Sequence, residues 1–231
     1  MNKRIIVLLG APGAGKGTQG ELLAEKLGLY YFETSKILEE SFNKAKNGDF
    51  VEISGQKYFF EKEKELWKSG VLCSPPFVSY LVKEKIEEIS QKGENLLLSG
   101  SPRTLSEGEE LMPLLEELYG KQNIKVILIE ISPEDTIFRN SHRRICELMR
   151  HPILYSKETE NLTQCPLDGS KLFRREGLDD PQSIETRIKE YEQRTLPLIE
   201  FFQKENIEIK KIDGRNSVVE DFKNILRALD Y

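Results

Sequence analysis

The sequence predicts an α/β fold of three layers, with a five-stranded parallel sheet held between helices. Three observations lead there. Short apolar runs alternate with longer amphipathic segments, which is the rhythm of βαβ units. The first apolar run, Ile5-Ile6-Val7-Leu8-Leu9, feeds directly into Gly10-Ala11-Pro12-Gly13-Ala14-Gly15-Lys16-Gly17-Thr18. A helical pattern opens at Lys16, so strand, glycine-rich turn and helix succeed one another as a phosphate-binding loop requires.

Strands are expected at Arg4–Leu9, Tyr30–Glu33, Asn95–Ser99, Lys125–Ile131 and Glu208–Ile212. Helices are expected at Lys16–Lys26, Ser35–Asn47, Phe59–Lys68, Pro76–Gln91 and Leu105–Leu118, then at Pro133–His142, Pro181–Lys204 and Val218–Leu229. Ser132-Pro133-Glu134-Asp135 reads as a helix start, with a hydroxyl cap, an early proline and acids near the positive end. Two stretches break the rhythm. Lys44–Ser74 has a helical pattern and no strand of its own, so a small helical lobe is expected there. Cys146–Arg175 lacks periodicity and is rich in Pro, Gly, Thr and Asn, as a lid-like insertion is. The expected division is a P-loop core of residues 1–34, 75–145 and 176–231, a helical lobe of 35–74 and a lid of 146–175.

Glycines let the loop backbone curl so that successive N–H groups face one anion. The helix behind them adds its positive end, and the Lys16 ammonium bridges the outer phosphates. A nucleoside triphosphate is the expected ligand. The net charge of −5 supplies no basic field for nucleic acid or anionic membrane. Arg143-Arg144 and Arg174-Arg175 therefore need a local explanation. Three cysteines cannot complete a disulfide framework and fit a reducing cytoplasm, and no apolar run is long enough to span a bilayer.

Further pieces follow in order. Thr34 comes after the second strand, Ser99-Gly100-Ser101-Pro102-Arg103-Thr104 after the third, and Arg139 with Arg143-Arg144 after the fourth. Then come Asp168-Gly169, Arg175, Asp179-Asp180, Arg187 and the run from Tyr191 through Thr195-Leu196-Pro197-Leu198. From Arg4 to about Ile225 the chain resembles the adenylate kinase family of nucleoside monophosphate kinases. The resemblance implies reversible transfer of the ATP γ-phosphoryl group to a nucleoside monophosphate, with AMP the default acceptor and Mg²⁺ on the donor phosphates. It also implies a monomer whose partners are small-molecule nucleotides.

By the same resemblance, Gly13, Ala14, Gly15, Lys16, Gly17 and Thr18 cradle the donor, with Lys16 on its β and γ phosphates and Thr18 on the α phosphate. Arg139 stacks on the donor base, and Gly214 belongs to the same site. Arg143, Arg175 and Arg187 close around the transferring group, while Arg103 grips the acceptor phosphate. Thr34, Glu39, Leu72, Gly100 and Glu107 fall at acceptor positions. Such a reaction gathers roughly seven negative charges in a dry site, and arginine binds phosphate oxygens bidentately without losing its charge. No general base is needed, because the acceptor oxygen is already anionic.

The lid carries Cys146-Glu147-Leu148-Met149 and Cys165-Pro166-Leu167-Asp168. Many bacterial relatives hold a structural zinc here through Cys-x-x-Cys followed by Cys-x-x-Cys or Cys-x-x-Asp. Met149 stands at one ligand position, and its thioether suits Zn²⁺ poorly. His151 completes a candidate set of Cys146, His151, Cys165 and Asp168. The alternative is a zinc-free lid whose reduced cysteines pack as small apolar residues.

Four departures from the family pattern concern the acceptor side and the metal. Ser99 replaces an aspartate that orients water on magnesium, and Glu39 replaces an arginine that binds the acceptor phosphate. Glu107 stands where a glutamine reads adenine. Its carboxylate only accepts hydrogen bonds, which suits the adjacent donors of guanine, unless Glu107 is simply a solvated helix residue. The lobe of Lys44–Ser74 is also longer than usual. A kinase for another base such as GMP, or a degenerate nucleotide-binding relative, are the alternative readings. A GTPase switch finds no Asn-Lys-x-Asp motif in the chain.

Overall fold

The computed structural model describes residues 4–175 and 178–231, so the expected core boundaries at residues 1 and 176 lie outside the described residues. The chain opens with β1 (Ile5–Gly10), α1 (Lys16–Leu27), β2 (Tyr30–Glu33) and α2 (Thr34–Lys44). Next come β3 (Phe50–Ile53), β4 (Gln56–Phe59), α3 (Phe60–Lys68), α4 (Pro75–Gln91), β5 (Leu96–Ser99) and α5 (Leu105–Tyr119). They are followed by β6 (Ile124–Glu130), α6 (Pro133–His142) and three short strands, β7 (Arg144–Cys146), β8 (Pro152–Ile153) and β9 (Leu172–Phe173). The chain closes with α7 (Pro181–Glu190), a π turn (Tyr191–Thr195), α8 (Pro197–Lys204), β10 (Ile209–Asp213) and α9 (Val218–Ala228).

The central sheet has five strands in the order β10-β6-β1-β5-β2, and every neighbouring pair is parallel. Strand β1 is buried along its whole length, which is why it reads as an unbroken apolar run. Its alternate residues face two cores. Ile5, Val7 and Leu9 pack with Phe77, Ile86, Leu111 and Phe202 from α4, α5 and α8. Ile6 and Leu8 pack with Leu23 and Ile225 from α1 and α9. These are the two helical layers around the sheet. In such a sheet ligands bind beyond the carboxyl ends of the strands, where the loops after β1, β2, β5 and β6 gather.

Two expectations are corrected. The Lys44–Ser74 stretch does contain strands, since β3 and β4 form an antiparallel hairpin. Ser54 and Gly55 form its turn with φ of 51° and 81°, the left-handed pair that a two-residue hairpin favours. Val51 and Tyr58 pack toward the core of α4 while Glu52 and Lys57 face out, a period of two that the neighbouring helical pattern obscured. The single helix expected over Pro181–Lys204 is also interrupted. Pro197 has no N–H to donate, and Leu196 N–H donates instead to Tyr191 O, five residues back, at 2.9 Å. That widened turn brings the Thr195 hydroxyl to the Arg103 carbonyl, to which it donates at 2.7 Å.

Candidate active site

A cavity of about 1180 Å³ lies at the carboxyl edge of the sheet, lined from the loop after β1, from α2, α6 and α7, and from β7, β8 and β9. The loop's shape depends on glycine at two close approaches. A Cβ at Gly10 would lie 2.5 Å from the Ile129 carbonyl, and one at Gly13, where φ is 84°, would lie 2.6 Å from Asn140 Nδ2. Lys16 Nζ donates to Gly10 O at 2.6 Å and Ala11 O at 2.9 Å. Burial, then repulsion from Arg103, Arg187 and Arg143, pulls its ammonium down to about 7. Gly13, Ala14, Gly15, Lys16, Gly17 and Thr18 all line the cavity. Arg139 crosses the loop, donating to Gly13 O at 3.4 Å and to Gly214 O at 2.7 Å.

Lys16, Arg103, Arg143, Arg175 and Arg187 line the same space. Burial, then Arg175, Arg143 and Arg103, works against the charge on Arg187. Asp179 pairs with two of them. The fully buried Asp179 carboxylate accepts from Arg143 at 2.5 Å and from Arg175 at 2.9 and 3.2 Å. Burial pushes the Asp179 carboxyl up, but hydrogen bonds from Arg175 and Arg143 outweigh that and hold it at about 2. Lys16, Arg103, Arg143, Arg175 and Arg187 thus cluster where they can neutralise a polyphosphate, while Glu33, Glu39 and Glu107 line the same cavity.

The acceptor candidates gather on the other side of Arg103. Thr34 is buried, and its hydroxyl bonds Ser101 Oγ at 2.9 Å. Leu72 N–H donates to Glu190 Oε2 at 3.0 Å. Gly100 packs against the Arg103 guanidinium, where a Cβ would meet Nη2 at 2.6 Å. Glu107 is 1% exposed, which corrects the reading of it as a solvated helix residue. Its Oε2 accepts from Arg103 N–H at 2.8 Å and its Oε1 from the Thr104 hydroxyl at 3.3 Å. Burial, outweighing those hydrogen bonds, raises the Glu107 carboxyl. Glu39 also lines the cavity, and its carboxylate lies 3.5 Å from Arg150, between β7 and β8.

Around the small β7–β9 sheet, Cys146, His151, Cys165 and Asp168 bring their ligand atoms within 4.8 Å of one another. Cys146 Sγ lies 2.9 Å from Asp168 Oδ2, and Cys165 Sγ lies 3.3 Å from His151 Nε2. Backbone N–H groups of Met149 and Leu167 donate to the two sulfurs at 3.3 and 3.4 Å. The Met149 side chain itself points outward, 67% exposed.

Sequence reading missed several neighbours of this site. Arg150, Phe138 and Tyr155 line the cavity, the two aromatic rings meeting edge-on at 5.6 Å beside Arg139. Asp179 was visible as half of an acidic pair, but its two arginine partners were not. Glu33 was read only as the end of a strand, and it too lines the cavity.

A glycine-rich phosphate loop at the carboxyl edge of a parallel sheet, facing five cationic side chains, defines a P-loop phosphotransferase. The family model for adenylate kinase matches residues 8–207. An adenylate kinase of Caldicellulosiruptor saccharolyticus is 31% identical over 227 residues, covering 97% of this chain and 98% of its own. One from Methanothrix thermoacetophila is 32% identical over 225 residues (97% of each chain), and one from Staphylococcus aureus is 30% identical over 230 residues (98% and 99%). The chain belongs to the adenylate kinase family. It is a nucleotide-binding phosphotransferase with the family's nucleoside monophosphate kinase activity. No helix among the described residues is long and apolar enough to cross a membrane.

Proposed function

We propose that the protein transfers the γ-phosphoryl group of ATP reversibly to AMP. The convergence of Lys16, Arg103, Arg143, Arg175 and Arg187 on one cavity supports this reading most directly. Two of these groups, Lys16 and Arg187, are held against their own charge by burial and by their neighbours, so a bound polyphosphate relieves both. In this reading Lys16 and Thr18 hold the donor, Arg139 with Gly214 flanks its base, and Arg103 holds the acceptor phosphate. Arg143, Arg175 and Arg187 neutralise the transferring group. Residues 35–74 and 146–175 act as the acceptor lobe and the lid, closing to exclude water so that transfer outruns hydrolysis. All the lining groups come from one chain, so a monomer suffices. The three unpaired cysteines fit a reducing compartment such as the cytoplasm.

Magnesium is a hard cation that takes oxygen ligands, and the Thr18 hydroxyl and Glu33 carboxylate line the cavity beside Lys16 as donors of that chemistry. When bound, the ion supplies charge neutralisation between donor phosphates. For zinc, tetrahedral N, O and S donors lie about 3.3–3.8 Å apart. The lid set lies within 4.8 Å, and His151 supplies the nitrogen that Met149 cannot, so the residues fit a structural ion after a small contraction. Cys146, His151, Cys165 and Asp168 would hold it and cross-link the lid.

A coupled assay for ADP formation from ATP with AMP, GMP, CMP or UMP tests the function. The expected result is turnover with AMP well above a Lys16→Ala control. A clear preference for GMP would reassign the acceptor, and turnover equal to the control would mark a nucleotide-binding relative.

A further inference from the structure

By the family resemblance Ser99 stands at the end of β5 where an aspartate is usual, and the adjoining strand supplies a carboxylate. Glu33 ends β2 and is the register partner of Ser99 in the parallel ladder. Partners in register point to the same face of a sheet. Two residues back along both strands, Tyr31 and Leu97 are likewise partners, and both pack in the core beneath α1. Glu33 and Ser99 therefore lie on the face that carries the phosphate loop and its helix. Both line the cavity with Lys16 and Thr18.

The surroundings of Glu33 point away from a purely local role. It occupies the position before α2, yet its side chain caps none of that helix's N–H groups. Oε1 accepts from the Ser35 hydroxyl at 2.8 Å, and Oε2 lies 3.2 Å from Lys36 Nζ, a pair in which the lysine is 54% exposed. An exposed pair of that kind holds a side chain weakly and leaves lone pairs free. The field of Glu33 reaches inward as well, favouring the charged forms of Lys16 and Arg143.

We propose that Glu33 does, from the neighbouring strand, what a carboxylate at position 99 would do: it accepts hydrogen bonds from water on the donor's magnesium and so orients the metal. Glu33 is a positioning residue for phosphoryl transfer, and its role rests on the reading of the cavity as a magnesium–ATP site. Glutamate carries one bond more than aspartate, about 1.5 Å, which helps it reach across from a strand about 4.8 Å away.

The test separates metal orientation from nucleotide binding. ATP affinity is measured by titration calorimetry on the full chain, with Mg²⁺ and then with EDTA, for wild type, Glu33→Gln and the double variant Glu33→Gln/Ser99→Asp. Glu33→Gln is expected to weaken ATP binding in Mg²⁺ about 10-fold or more while leaving affinity in EDTA within about 2-fold, since groups that orient metal ligands typically carry 10–100-fold. Its Mg²⁺ requirement for turnover should rise in parallel. Ser99→Asp on that background should restore both. Equal weakening in Mg²⁺ and EDTA, an unchanged Mg²⁺ dependence in Glu33→Gln, or no rescue by Ser99→Asp would each overturn the proposal. Wild-type ATP binding tests the magnesium–ATP reading separately, and the binding arms are independent of which monophosphate is the acceptor.

Discussion

Arg150 Nη2, between β7 and β8, lies 3.5 Å from Glu39 Oε1 of helix α2, so opposite charges meet in the lining of the cavity. Arg150 is held there with a φ of 60° and its guanidinium 5.2 Å from the Phe173 ring. In the proposed reading a carboxylate at position 39 alone would repel the acceptor phosphate, and pairing with Arg150 would offset it. Both side chains are about half exposed, so the pair is worth only ~0.5–1 kcal/mol. Arg150→Ala should raise the KM for the acceptor roughly 2–5-fold while leaving the KM for ATP unchanged. Adding Glu39→Gln should bring the acceptor KM back, which steady-state kinetics on the double-mutant cycle will read.

The depressed Lys16 predicts proton uptake on binding. With its ammonium at about 7 in the nucleotide-free protein, Lys16 is largely neutral at about pH 8 and charged at about pH 6. A triphosphate favours the charged form, so ATP should bring in about one proton at the higher pH and almost none at the lower. Titration calorimetry in buffers of different ionisation enthalpy measures this directly. Lys16→Met should abolish the uptake, and uptake that persists in the variant would refute the assignment.

Local features of the chain were legible because their causes are local. The Gly10–Thr18 loop, the buried β1 and the Ser132–Asp135 helix start each depend on residues within a few positions of one another. The β3–β4 hairpin was legible in principle through Ser54-Gly55, but the helical pattern on either side outweighed a two-residue turn. What could not be read was pairing across distance. Glu33 meets Ser99 only through strand register, Glu39 meets Arg150 across more than a hundred residues, and Asp179 gains Arg143 from another element. The burial of Glu107 likewise follows from how the loop after β5 folds back over it, with Arg103 N–H as its donor.

Asp179 should prove to be a stabilising group as well as an organiser of arginines. Asp179→Asn keeps the shape but leaves Arg143 and Arg175 without their counter-charge, and a cost of roughly 1–3 kcal/mol is expected at neutral pH. Its folded-state value of about 2 lies below the ordinary ~3.9. The stability it supplies is therefore complete above about pH 4 and lost as pH falls through about 2. Urea unfolding of wild type and variant should differ at neutral pH and converge across that acid window.

Zinc in the lid predicts one ion per chain by elemental analysis. Removing it with a chelator should lower Tm by roughly 3–8 °C, the shift that 1–2 kcal/mol produces in a chain of this size. Cys165→Ser should lose the ion and become insensitive to the chelator. A Tm that does not respond to chelation in the wild type would favour reduced cysteines packed without metal.

Glu107 presents different faces to a base in its two protonation states. Ionised, it accepts only; protonated, it donates at one oxygen and accepts at the other, as a glutamine amide does. Adenine offers an acceptor at N1 beside a donor at N6, so it matches the protonated acid or a glutamine. Burial raises the Glu107 carboxyl; Oε2 accepts from Arg103 N–H at 2.8 Å and Oε1 from the Thr104 hydroxyl at 3.3 Å, so a proton taken at Oε1 disturbs the weaker of the two bonds. As pH falls through that raised value the acid form grows, and kcat/KM for AMP should rise relative to GMP. Glu107→Gln should fix the donor in place, raise kcat/KM for AMP by roughly 5–10-fold at neutral pH and flatten the pH dependence, one hydrogen bond being worth ~1 kcal/mol or somewhat more. Kinetics with both monophosphates across the acid range measure the two effects together. If Glu107→Gln leaves the AMP-to-GMP ratio and its pH profile unchanged, Glu107 serves only to hold the Arg103 backbone and does not read the base.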